Sequence, residues 1–208
     1  SIYRSIQAAI EITTKKQSPV VLLAKKGIFS NYVKREKTKN NYIEKLITRE
    51  EAISLIVDTL CKNTIFVSST GYISRELYEL RDRLGQSHDS DFLTVGSMGH
   101  SSQIALGIAL SEKERSIVCL DGDGAMIMHM GGLVTNGAFG TKNLTHIVLN
   151  NAVHDSVGGQ PTLGFEISMT TIARGCKYKN IFGPCETQKE IKNALIEMQN
   201  NKGPSFVE

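Results

Sequence analysis

Short apolar runs alternate with segments of helical periodicity along most of this sequence. The runs predict strands at Thr64–Ser68, Phe92–Val95, Ser116–Leu120, Leu144–Leu149 and Ser205–Val207. The segments between and after them predict helices at Ser74–Leu84, Ser101–Leu110, Met128–Ala138, Ser168–Gly175 and Thr187–Asn200. Alternation of this kind is typical of a layered α/β domain built on a mainly parallel sheet. We therefore expect helices on both sides of such a sheet.

The first part of the chain has a different organisation. A helix at Ile2–Lys16 and a buried strand at Pro19–Ala24 are predicted, but one such pair cannot close a core of its own. We interpret residues 1–30 as the tail of a preceding domain and the polar, lysine-rich residues 31–47 as a linker. A capping box at Thr48–Glu51 then predicts the first helix of the main domain, residues 48–208. Because the last predicted strand runs into the final residue, we expect this domain to be truncated there.

Composition excludes several classes of protein. Apolar residues make up 40% of the chain, yet the longest apolar runs reach only strand length, so no membrane span is predicted. No secretory signal opens the sequence, and the formal charge of +3 is mild, with much of the excess in the predicted linker. The four cysteines lack the spacing of a metal site, which favours free thiols in a reducing cytoplasm: Cys61, Cys119, Cys176 and Cys185.

Two short polar motifs follow consecutive predicted strands. Gly122-Asp123-Gly124 follows the third strand, and Asn150-Asn151 follows the fourth after twenty-five intervening residues. Parallel strands joined by a right-handed crossover place both motifs at one edge of the sheet. The oxygens of Asp123 and Asn151 suit a hard cation such as Mg²⁺ or Ca²⁺, and the glycines allow the backbone to approach a ligand closely. Each motif alone is typical of a turn, whereas the pair predicts a metal bridging to a diphosphate.

The spacing of these motifs resembles the signature of thiamine-diphosphate-dependent enzymes. The resemblance implies a three-layer thiamine-diphosphate-binding fold and a Mg²⁺ ion held by Asp123, Asn151 and the main-chain carbonyl of Val153. It extends to Gly96-Ser97-Met98-Gly99-His100, where Met98 would hold the cofactor in its bent conformation. One departure is Ala125, where many relatives have serine. The cofactor-binding residues that the resemblance implies are Thr70, Gly71, Gly96, Ser97, Met98, Gly122, Gly124, Ala125 and Asn151.

The resemblance also implies a partner domain. In this family a glutamate from a pyrimidine-binding domain of another protomer activates the cofactor, and this chain contains no candidate for that glutamate. We therefore expect the chain to be the diphosphate-binding half of a longer enzyme, inactive alone, within a homo-oligomer.

The stretch from Asn150 to Thr162 resembles decarboxylases of this family that act on 3-phosphonopyruvate. The implied reaction yields phosphonoacetaldehyde and CO₂ in phosphonate biosynthesis. His154, Asp155 and His100 are the catalytic candidates, because they are expected near the reacting carbon and the cofactor ring, although His154 and Asp155 could instead form a surface turn. His129 is expected to pack within the domain, and residues 158–161 are expected to shape a turn or lid.

Other functions stay open from the sequence. The substrate could be sulfopyruvate or another 2-keto acid, and the chain could be a non-catalytic subunit of a split enzyme. A nicotinamide-dependent enzyme is disfavoured, because no G-x-G-x-x-G motif follows a predicted strand.

Overall fold

The computed structural model describes residues 1–30, 46–60, 62–139 and 141–208. The chain divides into two compact units, Ser1–Asn41 and Tyr42–Glu208. Most of the predicted linker and the side chain of Cys61 lie outside the described residues. No helix in the described ranges combines the length and the apolar character needed to cross a membrane.

In the first unit, helix α1 covers Ile2–Lys16, as the sequence predicts. The strand predicted at Pro19–Ala24 is wrong, because within residues 1–30 this segment pairs with no other strand. Val21 and Leu23 are 79% and 92% exposed. The physical reason is that an apolar run forms a strand only where a neighbouring strand takes up its backbone hydrogen bonds.

The second unit contains a six-stranded sheet, with the order β2-β1-β3-β4-β8-β7 and parallel pairing throughout. Its strands are β1 (Thr64–Ser68), β2 (Asp91–Leu93), β3 (Ser116–Gly122), β4 (Leu144–Leu149), β7 (Asn180–Phe182) and β8 (Ser205–Val207). A separate antiparallel hairpin consists of β5 (Val153–His154) and β6 (Gln160–Pro161). The sequence did not predict β5, β6 or β7.

The helices of this unit are α2 (Arg49–Leu60), α3 (Tyr72–Leu84), α4 (Ser101–Ser111), α5 (Asp123–Met128), α6 (Gly132–Phe139), α7 (Met169–Gly175) and α8 (Gln188–Asn200). The predicted capping box is present at the start of α2, where the Thr48 amide donates to Glu51 Oε2 at 2.9 Å. The single helix predicted at Met128–Ala138 is wrong. It is two helices, because the chain breaks at residues 129–131 and the first helix starts five residues earlier, at Asp123.

Side chains along the central strands point alternately to the two faces of the sheet, and the helices pack on these faces as two layers. Val118 and Leu120 point into a core with α2, α3 and α8. Ile117 and Cys119, one residue out of phase, pack against α4 on the opposite face, while α7 packs beside Phe206. The domain is therefore a three-layer α/β/α sandwich, which confirms the predicted fold class and places the carboxyl ends of β1, β3 and β4 side by side.

Candidate functional site

The loops after β3 and β4 meet at one edge of the sheet. Gly122 at the end of β3 pairs in register with Leu149 at the end of β4, so the two following loops start side by side. Asp123, Asn151 and Val153 all line one small cavity of about 50 Å³ between these loops. The arrangement brings together the three residues that the sequence analysis associates with a metal ion.

The carboxylate of Asp123 lies buried at this cavity. The residue is 2% exposed, and among the described residues it forms no salt bridge. Its Oδ2 accepts a hydrogen bond from the Thr162 hydroxyl. Burial of a carboxylate without a compensating positive charge is costly. A divalent cation bound here would supply that charge, so the donor set fits a hard metal ion.

The two asparagines of Asn150-Asn151 have different surroundings. Asn150 is held by protein: its Nδ2 donates to the Gly164 carbonyl and to Glu208 Oε1, both at 2.9 Å. Asn151 is exposed and lines the cavity, and its Oδ1 accepts from the Val153 amide at 3.2 Å. The first asparagine therefore fixes the loop, whereas the second presents its side chain to the cavity.

The remaining predicted site residues divide into two groups. Met98 and His154 line the same cavity as Asp123, whereas His100 lies outside its lining. Thr70, Gly122, Gly124, Ala125 and Asp155 also line it, and Gly71, Gly96 and Ser97 do not. The Met98 segment therefore reaches the site through Met98 itself.

Gly124 is in contact with the loop that follows β4. An ideal Cβ atom on Gly124 would lie 2.3 Å from His154 Cε1 and 3.1 Å from Thr162 Cγ2. A larger residue at this position would therefore push away His154, a catalytic candidate. The need for glycine here arises from protein packing as well as from the ligand approach that the sequence suggested.

Arg49 is a cavity residue that sequence reasoning missed. Its guanidinium forms two hydrogen bonds with Glu76, at 2.7 and 2.8 Å, and one with Asp155 at 3.1 Å. The hydrogen bond to Glu76 is the main cause that raises the pKa of Arg49 above its ordinary value. Arg49 thus ties α2 to α3 and to the loop after β4. No local pattern could reveal this contact, because 106 positions separate Arg49 from Asp155.

A buried polar network lies directly behind the Gly122–Gly124 loop. Asp121 Oδ1 accepts from the Gly122 amide at 3.0 Å, and Asp121 Oδ2 lies 3.3 Å from His146 Nε2. His146 Nδ1 lies 3.2 Å from the Tyr178 hydroxyl. Burial raises the pKa values of Tyr178 and of the neighbouring Cys119 thiol. Cys119, Asp121 and His146 could group around a metal, but Asp121 and His146 already have hydrogen-bond partners, so we interpret the cluster as support for the loop.

A larger cavity of about 660 Å³ adjoins the site on the side of α2 and α8. Its lining is mostly apolar, although it shares Arg49, Leu149 and Asn151 with the smaller cavity. Size alone would select the larger cavity. The buried carboxylate of Asp123, which lines only the smaller cavity, selects that one, since a metal and a diphosphate need polar groups.

Comparisons with known proteins identify the family of this chain. The profile of a family described as "Thiamine pyrophosphate enzyme, C-terminal TPP binding domain" matches residues 70–208. A phosphonopyruvate decarboxylase of Streptomyces viridochromogenes is 39% identical over 160 residues, which are 77% of this chain and 38% of that protein. A sulfopyruvate decarboxylase subunit beta of Methanocaldococcus jannaschii is 38% identical over 152 residues, which are 72% of this chain and 78% of that subunit.

A solved structure supports the fold. An X-ray structure assigned to a thiamin diphosphate-dependent enzyme from Mycobacterium smegmatis matches with a TM-score of 0.64 at 20% identity. The match covers 77% of this chain and 31% of that one. The chain also spans only 38% of the length of the two phosphonopyruvate decarboxylases that it resembles.

Proposed function

The chain belongs to the thiamine pyrophosphate enzymes, and from that membership we propose that it supplies the diphosphate- and metal-binding half of a 2-keto-acid decarboxylase. The proposed reaction converts 3-phosphonopyruvate to phosphonoacetaldehyde and CO₂. The observation that carries the proposal is the buried carboxylate of Asp123, which forms no salt bridge with any described residue and lies near Asn151 at the edge where β3 and β4 end.

The proposed metal is Mg²⁺, held by oxygens of three residues. Asp123 would contribute a carboxylate oxygen, Asn151 its side-chain carbonyl, and Val153 its main-chain carbonyl. Hard oxygen ligands of this kind are those that Mg²⁺ prefers, and Mg²⁺ commonly bridges protein carboxylates to phosphate groups. Three protein ligands would leave room for diphosphate oxygens and water around the metal.

The diphosphate would lie against the strand ends on either side of the metal. Thr70 follows β1 and lines the cavity, so its amide and hydroxyl would be donors to the diphosphate. Gly124 and Ala125 lie in the first turn of α5, where backbone amides lack partners within the helix. When bound, thiamine diphosphate would supply an electron sink for the electron pair that remains when the carboxylate leaves as CO₂.

Residues of this chain would bind the substrate and could transfer a proton to it. His154 packs on Gly124 at the cavity, and an imidazole there can donate to a phosphonate oxygen or transfer a proton. Asp155 is held by Arg49, which limits its motion. His100 remains a candidate for the pyrimidine side of the site. The activating carboxylate and the opposite wall would come from a pyrimidine-binding domain of another protomer.

A second candidate substrate is sulfopyruvate, which has a sulfonate of similar shape. The observation that favours it is coverage: this chain matches 78% of a sulfopyruvate decarboxylase beta subunit. In that case the chain would act as the diphosphate-binding subunit of a split enzyme, with the pyrimidine-binding domain on another polypeptide.

Steady-state assays of the complete enzyme, with its pyrimidine-binding partner, distinguish these functions. Phosphonopyruvate, sulfopyruvate and pyruvate are compared side by side at saturating thiamine diphosphate and Mg²⁺. The proposal expects the highest kcat/KM with phosphonopyruvate. A higher value with sulfopyruvate would favour the second candidate, and no turnover of any 2-keto acid would contradict both.

A further inference from the structure

His129 holds the main chain of the Met98 segment. It is the residue that directly follows α5, and its Nδ1 lies 3.1 Å from the Met98 carbonyl oxygen. A carbonyl oxygen can only accept a hydrogen bond, so His129 Nδ1 must carry the hydrogen. The contact joins two loops that are thirty-one positions apart in the sequence.

Two further contacts lock the same segment against α5. Gly99 has φ +88°, and an ideal Cβ there would lie 2.5 Å from His129 Nδ1 and 2.8 Å from the Ala125 carbonyl oxygen. The rings of His100 and His129 are in contact, with centroids 4.1 Å apart. The segment is therefore pressed against α5 at its first turn, through Ala125, and just past its end, through His129.

Helix α5 consequently connects the two halves of the candidate site. It starts at Asp123 and ends at Met128, so its six residues span about 9 Å. One end carries the proposed metal ligand, and the other end, through His129, sets the position of Met98 at the same cavity.

We propose that His129 is a positioning residue for the cofactor. The inference rests on the proposed function: if thiamine diphosphate is held by Asp123 at one end and Met98 at the other, the His129–Met98 hydrogen bond fixes the distance between those contacts. His129 does not itself line the cavity, so its effect is exerted through the main chain of Met98. Fixing the loop before the cofactor arrives lowers the ordering cost of binding.

Three substitutions test this role. His129→Phe keeps a ring against His100 but removes the donor, whereas His129→Asn keeps a donor close to the position of Nδ1. His88→Phe is the matched control, because the His88 ring also stacks on an aromatic ring, that of Tyr78, with centroids 4.2 Å apart. Its position outside the cavity lining leads us to expect no effect on the cofactor.

The measurements are calorimetric binding of thiamine diphosphate with Mg²⁺ to the complete enzyme and hydrogen exchange of the His100 amide. That amide donates to the Ser97 carbonyl at 3.1 Å and reports opening of the loop. We expect His129→Phe to raise both the dissociation constant and the exchange rate about tenfold, as the loss of one hydrogen bond implies. His129→Asn should stay within about twofold of the wild type, and His88→Phe should not change either quantity.

Different results would refute the proposed function and the positioning role of His129. If the wild type binds no thiamine diphosphate, the proposed function is wrong. If the wild type binds and His129→Phe binds equally well, only the positioning role is wrong. If His129→Asn is as weak as His129→Phe, the donor at this position is not what matters, and the inference is also overturned.

Discussion

Replacement of Gly124 by alanine has two opposing effects on stability. Alanine is the better helix former, but its Cβ atom would crowd the neighbouring side chains of the site. In an open helical position, glycine to alanine stabilises a protein by about 0.5–1 kcal/mol, because glycine loses more backbone entropy on folding. At Gly124 the added Cβ would lie 2.3 Å from His154 Cε1, where an ordinary contact needs 3.4 Å or more. The His154 ring must therefore move by about 1.1 Å, or the backbone must shift.

The size of the effect follows from this displacement. Overpacking of this kind costs about 1–3 kcal/mol. Gly107 is the matched control, since it lies in α4 and its ideal Cβ meets no atom within 4 Å. Urea unfolding should show that Gly107→Ala gains stability, while Gly124→Ala falls about 1–3 kcal/mol below that control.

The turnover number kcat should also respond to the displacement of the His154 ring. A shift of about 1 Å in a positioned group can reduce the rate on the order of a hundredfold. We therefore expect Gly124→Ala to lower kcat on phosphonopyruvate by about that factor in the complete enzyme, whereas Gly107→Ala leaves kcat unchanged. If the two variants have the same stability and the same kcat, the packing of His154 on Gly124 does not matter and this reasoning is refuted.

Two other predictions concern buried groups. Asp91→Ala should lower the free energy of unfolding in urea by about 3–5 kcal/mol, because it leaves the buried Arg81 guanidinium without its carboxylate. Glu50→Ala, which removes an exposed ion pair, should cause no measurable change in the same experiment. Burial is the main cause that raises the pKa of Cys185 to about 11. At pH 8 the alkylation rate of this thiol should therefore be on the order of a hundredfold lower in the native protein than in urea, as measured by mass spectrometry. Equal native and unfolded rates would show that the thiol is not shielded.

The sheet could be predicted where strands are buried on both faces. Leu144–Leu149 is a mostly apolar run, and the structure has the strand with those bounds. The hairpin of β5 and β6 could not be predicted, because two-residue strands carry no periodic signal. The break between α5 and α6 was missed because apolar residues lie on both sides of it, while two glycines, Gly131 and Gly132, mark the actual boundary.

The place of Asp123 and Asn151 at one edge of the sheet was predictable, because it depends on spacing along two neighbouring strands. Asp123 and Asn151 follow paired strands, so sequence order was enough to place them at one edge. Arg49 and Thr162 could not be found in this way. Their contacts with Asp155 and Asp123 span 106 and 39 positions and arise from how α2 and the hairpin pack, which no local pattern encodes.

Calorimetric titration of thiamine diphosphate into the complete enzyme, with and without Mg²⁺, tests the central claim most directly. We predict Mg²⁺-dependent binding by the wild type and its loss in Asp123→Ala, because the variant removes the charged oxygen that links the metal to the protein. Asp58→Ala, which changes an exposed carboxylate on α2, should bind like the wild type. Unchanged affinity in Asp123→Ala, or wild-type binding that is independent of Mg²⁺, would contradict the account.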